Sequence, residues 1–197
     1  MRNRAVRRYR WARVSRSATA SVFLDDGASG PSNQEIMGTT SRVWRISVKD
    51  EAGVYVTAQQ AKRLARKLRF DEIGQACLET VALELARNTL IHGGGGEMLL
   101  RPLCDKGRVG LEMQATDNGP GIGDLEQAMS DGYSTAGGLG TGLGAARRLS
   151  DEFEIDSQPG GGTRVLARLW RPATDKEQID IEAGLLTVFP RPPRGGR

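Results

Sequence analysis

Two periods of apolar residues run through the middle of the chain, one near two and one near 3.6, and they predict strands alternating with helices. Arg42 to Val48 (RVWRISV) reads as a short strand. Thr57 is the expected N-cap of a helix over Ala58 to Phe70, whose Ala61, Leu64, Ala65 and Leu68 fall on one stripe. A longer helix is expected from about Asp71 to Ile91. Its apolar surface is read as Ile73, Ala76, Cys77, Thr80, Val81, Leu83, Leu85 and Ala86, and the glycine run from Gly93 ends it. Glu97 to Leu103 and Val109 to Thr116 pair as strands across Cys104-Asp105-Lys106-Gly107. After a glycine-rich stretch over 117–144, Leu143 to Leu149 begins a helix. Glu152 to Ser157 and Thr163 to Trp170 then form a hairpin over Gln158-Pro159-Gly160-Gly161-Gly162. The sum is an α/β two-layer sandwich, a mixed and mostly antiparallel sheet with helices on one face.

The folded body is expected to span 41–171. Residues 1–40 read as a basic, disordered extension, because their scattered arginines and few aliphatics cannot bury enough apolar surface to offset ordering entropy. Met37, just before the first strand, is a candidate translation start; an N-terminal peptide beginning at Arg2 or Arg4 would exclude it. Residues 172–197 carry one expected short helix around Asp175 to Leu186 and then a Pro/Gly/Arg tail, an extension read as largely disordered. Charge follows the same division. Residues 1–36 hold seven Arg against three acids, so the remaining 161 residues hold 28 − 7 = 21 basic and 24 − 3 = 21 acidic side chains. The net +4 therefore belongs to the head, and the body shows no footprint for nucleic acid. No apolar run approaches the roughly 20 residues that cross a bilayer. Cys77 and Cys104 are too few for a disulfide framework, so the expected location is cytoplasmic.

Glycine is the outlier, at 26 of 197 residues, and nine of the 26 lie between Gly119 and Gly144. Three clusters near them carry chemistry. Glu84 and Asn88 stand four apart on the long helix, so a carboxylate base and an amide oxygen ligand for Mg²⁺ share one face; a solvated helix face has the same pattern. Asp117-Asn118-Gly119-Pro120-Gly121-Ile122-Gly123 closes a strand. Its glycines admit a flat ligand and its carboxylate accepts from an exocyclic amino group; read alone, it is also a turn. Gly137-Gly138-Leu139-Gly140-Thr141-Gly142-Leu143-Gly144 opens a helix whose N–H groups favour phosphate. It lacks the GKS or GKT of a P-loop and the βαβ unit of a dinucleotide fold.

In this order and at these spacings, ELARN, DNGPGI, DGYSTAGGLGTGLGAARRLSDEFEIDS and PGGGT resemble the GHKL or Bergerat-fold ATPases. The likeness is closer to the small bacterial serine/threonine switch kinases of the RsbT type, over about residues 42–171. The resemblance implies a Bergerat-type sandwich and an ATP-dependent protein kinase using Mg²⁺. It makes Glu84 the general base, Asn88 the Mg²⁺ ligand and Asp117 the acceptor for the adenine amino group. Thr163 would add a second adenine-side contact, with Gly119 and Gly121 as the pocket floor and Asp124 to Gly138 as a mobile lid. Gly138, Gly140, Thr141, Gly142, Leu143 and Gly144 would hold the phosphates. The implied substrates are Ser or Thr side chains on STAS-domain antagonist or scaffold proteins, with a PP2C-type phosphatase as a further partner. Two alternatives stay open: an anti-sigma factor of the RsbW type that sequesters a sigma factor, and a nucleotide-holding regulator with little kinase activity.

The remaining polar residues read without special chemistry. His92 ends the long helix as a structural or lid-adjacent residue, and it lacks the preceding two-helix domain that a phosphoaccepting histidine needs. Arg87, Arg147 and Arg148 read as solvated or partner-facing, and Ser134 and Thr135 belong to the lid.

Overall fold

Six strands pair edge to edge, every pairing antiparallel, and the apolar alternation within them decides which face is covered. The structure is a computed structural model and describes residues 7–12, 42–105, 108–129, 142–172, 177–182 and 185–190. In chain order the elements are β1 (Arg7–Ala12), β2 (Trp44–Val48), α1 (Glu51–Lys67), α2 (Glu72–Ile91), β3 (Gly96–Asp105) and β4 (Arg108–Asp117). They continue with α3 (Leu125–Ala128), α4 (Gly142–Leu149), β5 (Glu152–Ser157), β6 (Thr163–Pro172), β7 (Glu177–Glu182) and β8 (Leu185–Pro190). The sheet order is β1-β5-β6-β4-β3-β2, and β7 with β8 forms a separate two-stranded ribbon. The expected mixed sheet is thus antiparallel throughout its described strands.

Side chains alternate across a strand, so register places the core residues in rows. Leu100 stands opposite Met113, Met113 opposite Ala167, and Ala167 opposite Phe153. The next row runs Met98, Ala115, Val165, Ile155. All eight are buried. Onto these rows pack Leu78, Val81, Ala82, Leu85 and Ala86 of α2 and Val54, Ala61, Leu64 and Ala65 of α1. Each large apolar side chain so buried contributes about 1.5–3 kcal/mol. The other face of the sheet is held by ions instead. Glu112, only 6% exposed, accepts from Arg101 at 2.6 Å and from Arg168 at 2.8 Å, while Arg168 also reaches Glu152 at 2.7 Å. Burial works against the Arg168 charge, but its bonds to Glu152 and Glu112 outweigh it and raise its pKa.

Several expectations are corrected. Helix α1 starts seven residues before the expected Ala58, at Glu51, because Asp50 and not Thr57 is the N-cap; its side chain accepts from Gly53 N at 2.9 Å. Thr57 is buried inside the helix, its hydroxyl donating to Gly53 O at 2.8 Å. On α2, Asp71 is the N-cap, and Ile73, Ala76 and Thr80 face outward, Ile73 being 75% exposed. Leu78, Ala82 and Thr89 take the buried positions instead. The short helix expected around Asp175 to Leu186 is the β7–β8 hairpin, whose Leu186 and Val188 join the core. Arg171 ties it down, donating to Leu68 O at 2.7 Å and to Glu177 at 2.9 and 3.2 Å. Within the basic head, residues 7–12 form edge strand β1 on β5, against an expectation of disorder; the rest of 1–41, Met37 included, lies outside the described residues.

Candidate functional site

Three chain segments reach the same end of the sheet. Helix α2 ends there, β4 ends there, and the turn between β5 and β6 closes there. Between them and α4 lies a cavity of about 320 Å³ lined by Leu85, Asn88, Thr89, His92, Ala115, Asp117, Pro120, Gly121, Ile122, Gly123, Asp124, Gln127, Ala128, Gly142, Leu143, Thr163 and Val165. That volume suits a small ligand. One wall is apolar, from Leu85, Ala115, Ile122 and Val165, and the polar groups stand at its edges.

Asp117 is held by backbone. Its Oδ1 accepts from Gly119 N at 2.9 Å and from Thr163 N at 3.2 Å, while Oδ2 has no hydrogen bond among the described residues. The chain around it is fitted without side chains. A Cβ on Gly162, at φ +76°, would overlap the Asp117 carbonyl oxygen, and one on Gly93 would overlap the Asp117 Cβ. A Cβ on Gly119 would stand 2.7 Å from Gly93 Cα and 2.9 Å from His92 O. Gly121, at φ +70°, turns the chain against the Gln158 carbonyl. The two loops are then stitched by Gly160 N to Pro120 O at 2.7 Å and Gly162 N to Gly119 O at 3.1 Å. Ser157, buried at this junction, accepts from Ile122 N at 2.9 Å.

Asn88 lines the same cavity and carries a buried side-chain Nδ2 with no hydrogen-bond partner among the described residues. A buried amide left unpaired costs about 1–3 kcal/mol, and its two ends exchange by a flip, so it is poised for a ligand oxygen or a cation. A hard cation such as Mg²⁺ takes oxygen donors and keeps several waters, and the Asn88 carbonyl is one such donor. No group of three or more His, Cys, Asp or Glu among the described residues forms a metal cage. Gly142 and Leu143 bring the N-terminus of α4 to the cavity, where unpaired N–H groups and the helix dipole favour anions.

The expected site residues therefore separate. Asn88, Asp117, Gly121, Gly142, Leu143 and Thr163 come together on one cavity. Gly119 stands behind Asp117 as packing, and Gly144 is buried within α4. Glu84, half-buried, lies one turn of α2 before Asn88 and does not line the cavity. Gly138, Gly140 and Thr141 lie outside the described residues, as does most of the expected lid. The first part of that lid is α3, capped by Asp124 and pinned by Leu125 and Met129, both buried in the core. Among the cavity residues read without special chemistry, His92 stands at the rim. Ser157 escaped notice altogether, although its signal was present: in Phe153, Ile155, Ser157 a hydroxyl takes an inward, apolar position.

No helix among the described residues is long and apolar enough to cross a membrane. The chain is 38% identical over 125 residues to the serine/threonine-protein kinase RsbT of Bacillus subtilis, covering 64% of this chain and 94% of that protein. It is 33% identical to an anti-sigma F factor of Heyndrickxia coagulans, over 44% of this chain and 63% of that one. An anti-sigma F factor of Clostridium beijerinckii is 30% identical, over 50% of this chain and 71% of its own length. Residues 74–173 match the model of the histidine kinase-, DNA gyrase B- and HSP90-like ATPases. That stretch holds the end of α2, the Asp117 turn, α4 and the β5–β6 turn, the parts that build the cavity. The chain belongs to this ATPase family.

Proposed function

We propose that the chain is an ATP-dependent serine/threonine protein kinase of a partner-switching pathway, acting in the cytoplasm on STAS-domain proteins. The observation that carries the reading is that Asn88, whose buried Nδ2 has no hydrogen-bond partner among the described residues, lines one cavity with Asp117 and the N-terminus of α4. In this reading Asp117 Oδ2 accepts the adenine amino group, and Gly121 and Ile122 give the base an apolar bed. Gly142 and Leu143, with Gly138, Gly140, Thr141 and Gly144, hold the phosphates. Asn88 would hold Mg²⁺, which when bound neutralises phosphate charge. Glu84 takes the proton of a substrate Ser or Thr hydroxyl as its oxygen bonds to the γ-phosphorus and the bond to the ADP oxygen breaks. Glu84's place outside the cavity suits this role, since the hydroxyl arrives on another protein. The similarity to RsbT along 94% of its length supports the kinase reading, and docking to a PP2C-type phosphatase is a further part of it.

Labelled ATP and purified STAS-domain proteins test the proposal. Label passes to a partner Ser or Thr, and Glu84→Gln abolishes transfer while ATP binding persists. Transfer at the wild-type rate in that variant removes Glu84 as base. A second reading, sequestration of a sigma factor, is favoured by the anti-sigma F relatives. Stoichiometric capture of a sigma factor would put it first, and ATP binding without transfer or capture would leave a nucleotide-holding regulator.

A further inference from the structure

Ser157 is 3% exposed and its single hydroxyl meets three partners. Ile122 N–H donates to its Oγ at 2.9 Å, so one lone pair is used. The Gly162 carbonyl, 3.0 Å away, can only accept, so the one Ser157 hydrogen goes there. Thr163 Oγ1 lies 2.9 Å from the same oxygen. With the Ser157 hydrogen already given away, Thr163 must be the donor in that pair, and the second Ser157 lone pair accepts it. Every site on the Ser157 hydroxyl is then filled. Thr163 also lines the cavity, and its hydroxyl then has lone pairs alone to offer a ligand there. Asp117 beside it is a carboxylate whose Oδ1 is occupied by two backbone N–H groups.

We propose that Ser157 is a positioning residue that sets the hydrogen-bond polarity of this wall. By turning the Thr163 hydrogen away, it makes the Asp117–Thr163 wall acceptor-only, which admits the 6-amino group of adenine and opposes the 6-oxo group of a hypoxanthine or guanine base. The inference rests on the reading of the cavity as the ATP site.

The test measures Kd of the full chain for ATP and for ITP, which carries a 6-oxo group in place of the amino group on the same ribose and phosphates. The wild type prefers ATP by at least about tenfold, the worth of one mismatched polar contact. In Ser157→Ala the Thr163 hydrogen is free to turn toward a 6-oxo group, and the ATP-to-ITP ratio contracts by about tenfold. Ser157→Thr, which keeps the hydroxyl, restores the ratio. A loosened loop weakens both nucleotides alike and leaves the ratio unmoved, so an unchanged ratio in folded Ser157→Ala overturns the inference. Should Ser157→Ala not fold, Thr163→Val decides: a contracted ratio supports the inference and an unchanged one overturns it. Absence of ATP binding by the wild type sinks the nucleotide reading instead.

Discussion

Asp117→Asn separates what the carboxylate does for the fold from what it does for a ligand. The Asn oxygen takes the place of Oδ1, which accepts from Gly119 N at 2.9 Å and Thr163 N at 3.2 Å, so both backbone bonds survive with a neutral acceptor. Stability falls by about 1 kcal/mol. The amide nitrogen then stands where Oδ2 stood, and an acceptor facing the cavity becomes a donor. Against an adenine amino group one charge-assisted bond is lost, worth about 1.5–3 kcal/mol, or about tenfold to a hundredfold in Kd. Titration calorimetry with ATP reads the affinity and a thermal melt reads the fold. Asp117→Ala is the contrasting case, because it also strips Gly119 N and Thr163 N of their acceptor and lowers the melting temperature further. Wild-type ATP affinity in a folded Asp117→Asn protein would refute the placement of the base against Asp117.

Other outcomes follow from the same geometry. Gly162→Ala, with φ +76° and the Asp117 carbonyl in the way, loses at least about 1 kcal/mol of stability and most ATP binding. Gly123→Ala, with open space around its Cβ position, stays within about 1 kcal/mol of wild type; equal melting losses for the two would contradict the packing. Glu112→Gln weakens the ion network of the open sheet face and lowers urea stability by about 1–3 kcal/mol, and no change would show that Arg101 and Arg168 draw nothing from it. Burial first, and then the Asp105 charge, push the Cys104 thiol above its ordinary value of 9.0. Its alkylation rate therefore rises with a midpoint at higher pH than that of a solvent-exposed cysteine in the unfolded chain. Because the folded form holds the proton more tightly than the unfolded one, this group's contribution is present below the ordinary thiol pKa and is lost as pH rises through the raised one. A midpoint at or below that of the unfolded chain would contradict the burial.

The sequence was most legible where one period ran uninterrupted. The β5–β6 hairpin and the residues of α2 around Asn88 fall where their patterns put them, and so does the strand that ends at Asp117. It was misleading where a residue serves tertiary packing. Gly53 looks like a helix breaker, yet it sits in the first turn of α1 because a Cβ there would approach Ser47 O to 2.8 Å. Thr57, a residue type that also caps helices, instead turns its hydroxyl back to Gly53 O within the helix. In the C-terminal extension, where a short helix is expected around Asp175 to Leu186, Glu177-Gln178-Ile179-Asp180-Ile181-Glu182 alternates with the period of a strand. On α2, Ile73 is apolar by type but 75% exposed, and the buried stripe runs through Leu78, Val81, Ala82, Leu85, Ala86 and Thr89. The role of Ser157 was invisible because it depends on Ile122, Gly162 and Thr163 meeting one oxygen.

The close fit of Gly93, Gly119 and Gly162 around Asp117 has a consequence for how this protein tolerates change. The three lie 69 residues apart from first to last, yet a methyl group on Gly93 or Gly162 would press on Asp117 itself, and one on Gly119 would press on Gly93 and through it on the same strand end. A second substitution then strikes a site already lost, so their effects fall well short of a sum. In a mutational scan the three positions fail together, and from a double variant neither single reversion recovers binding.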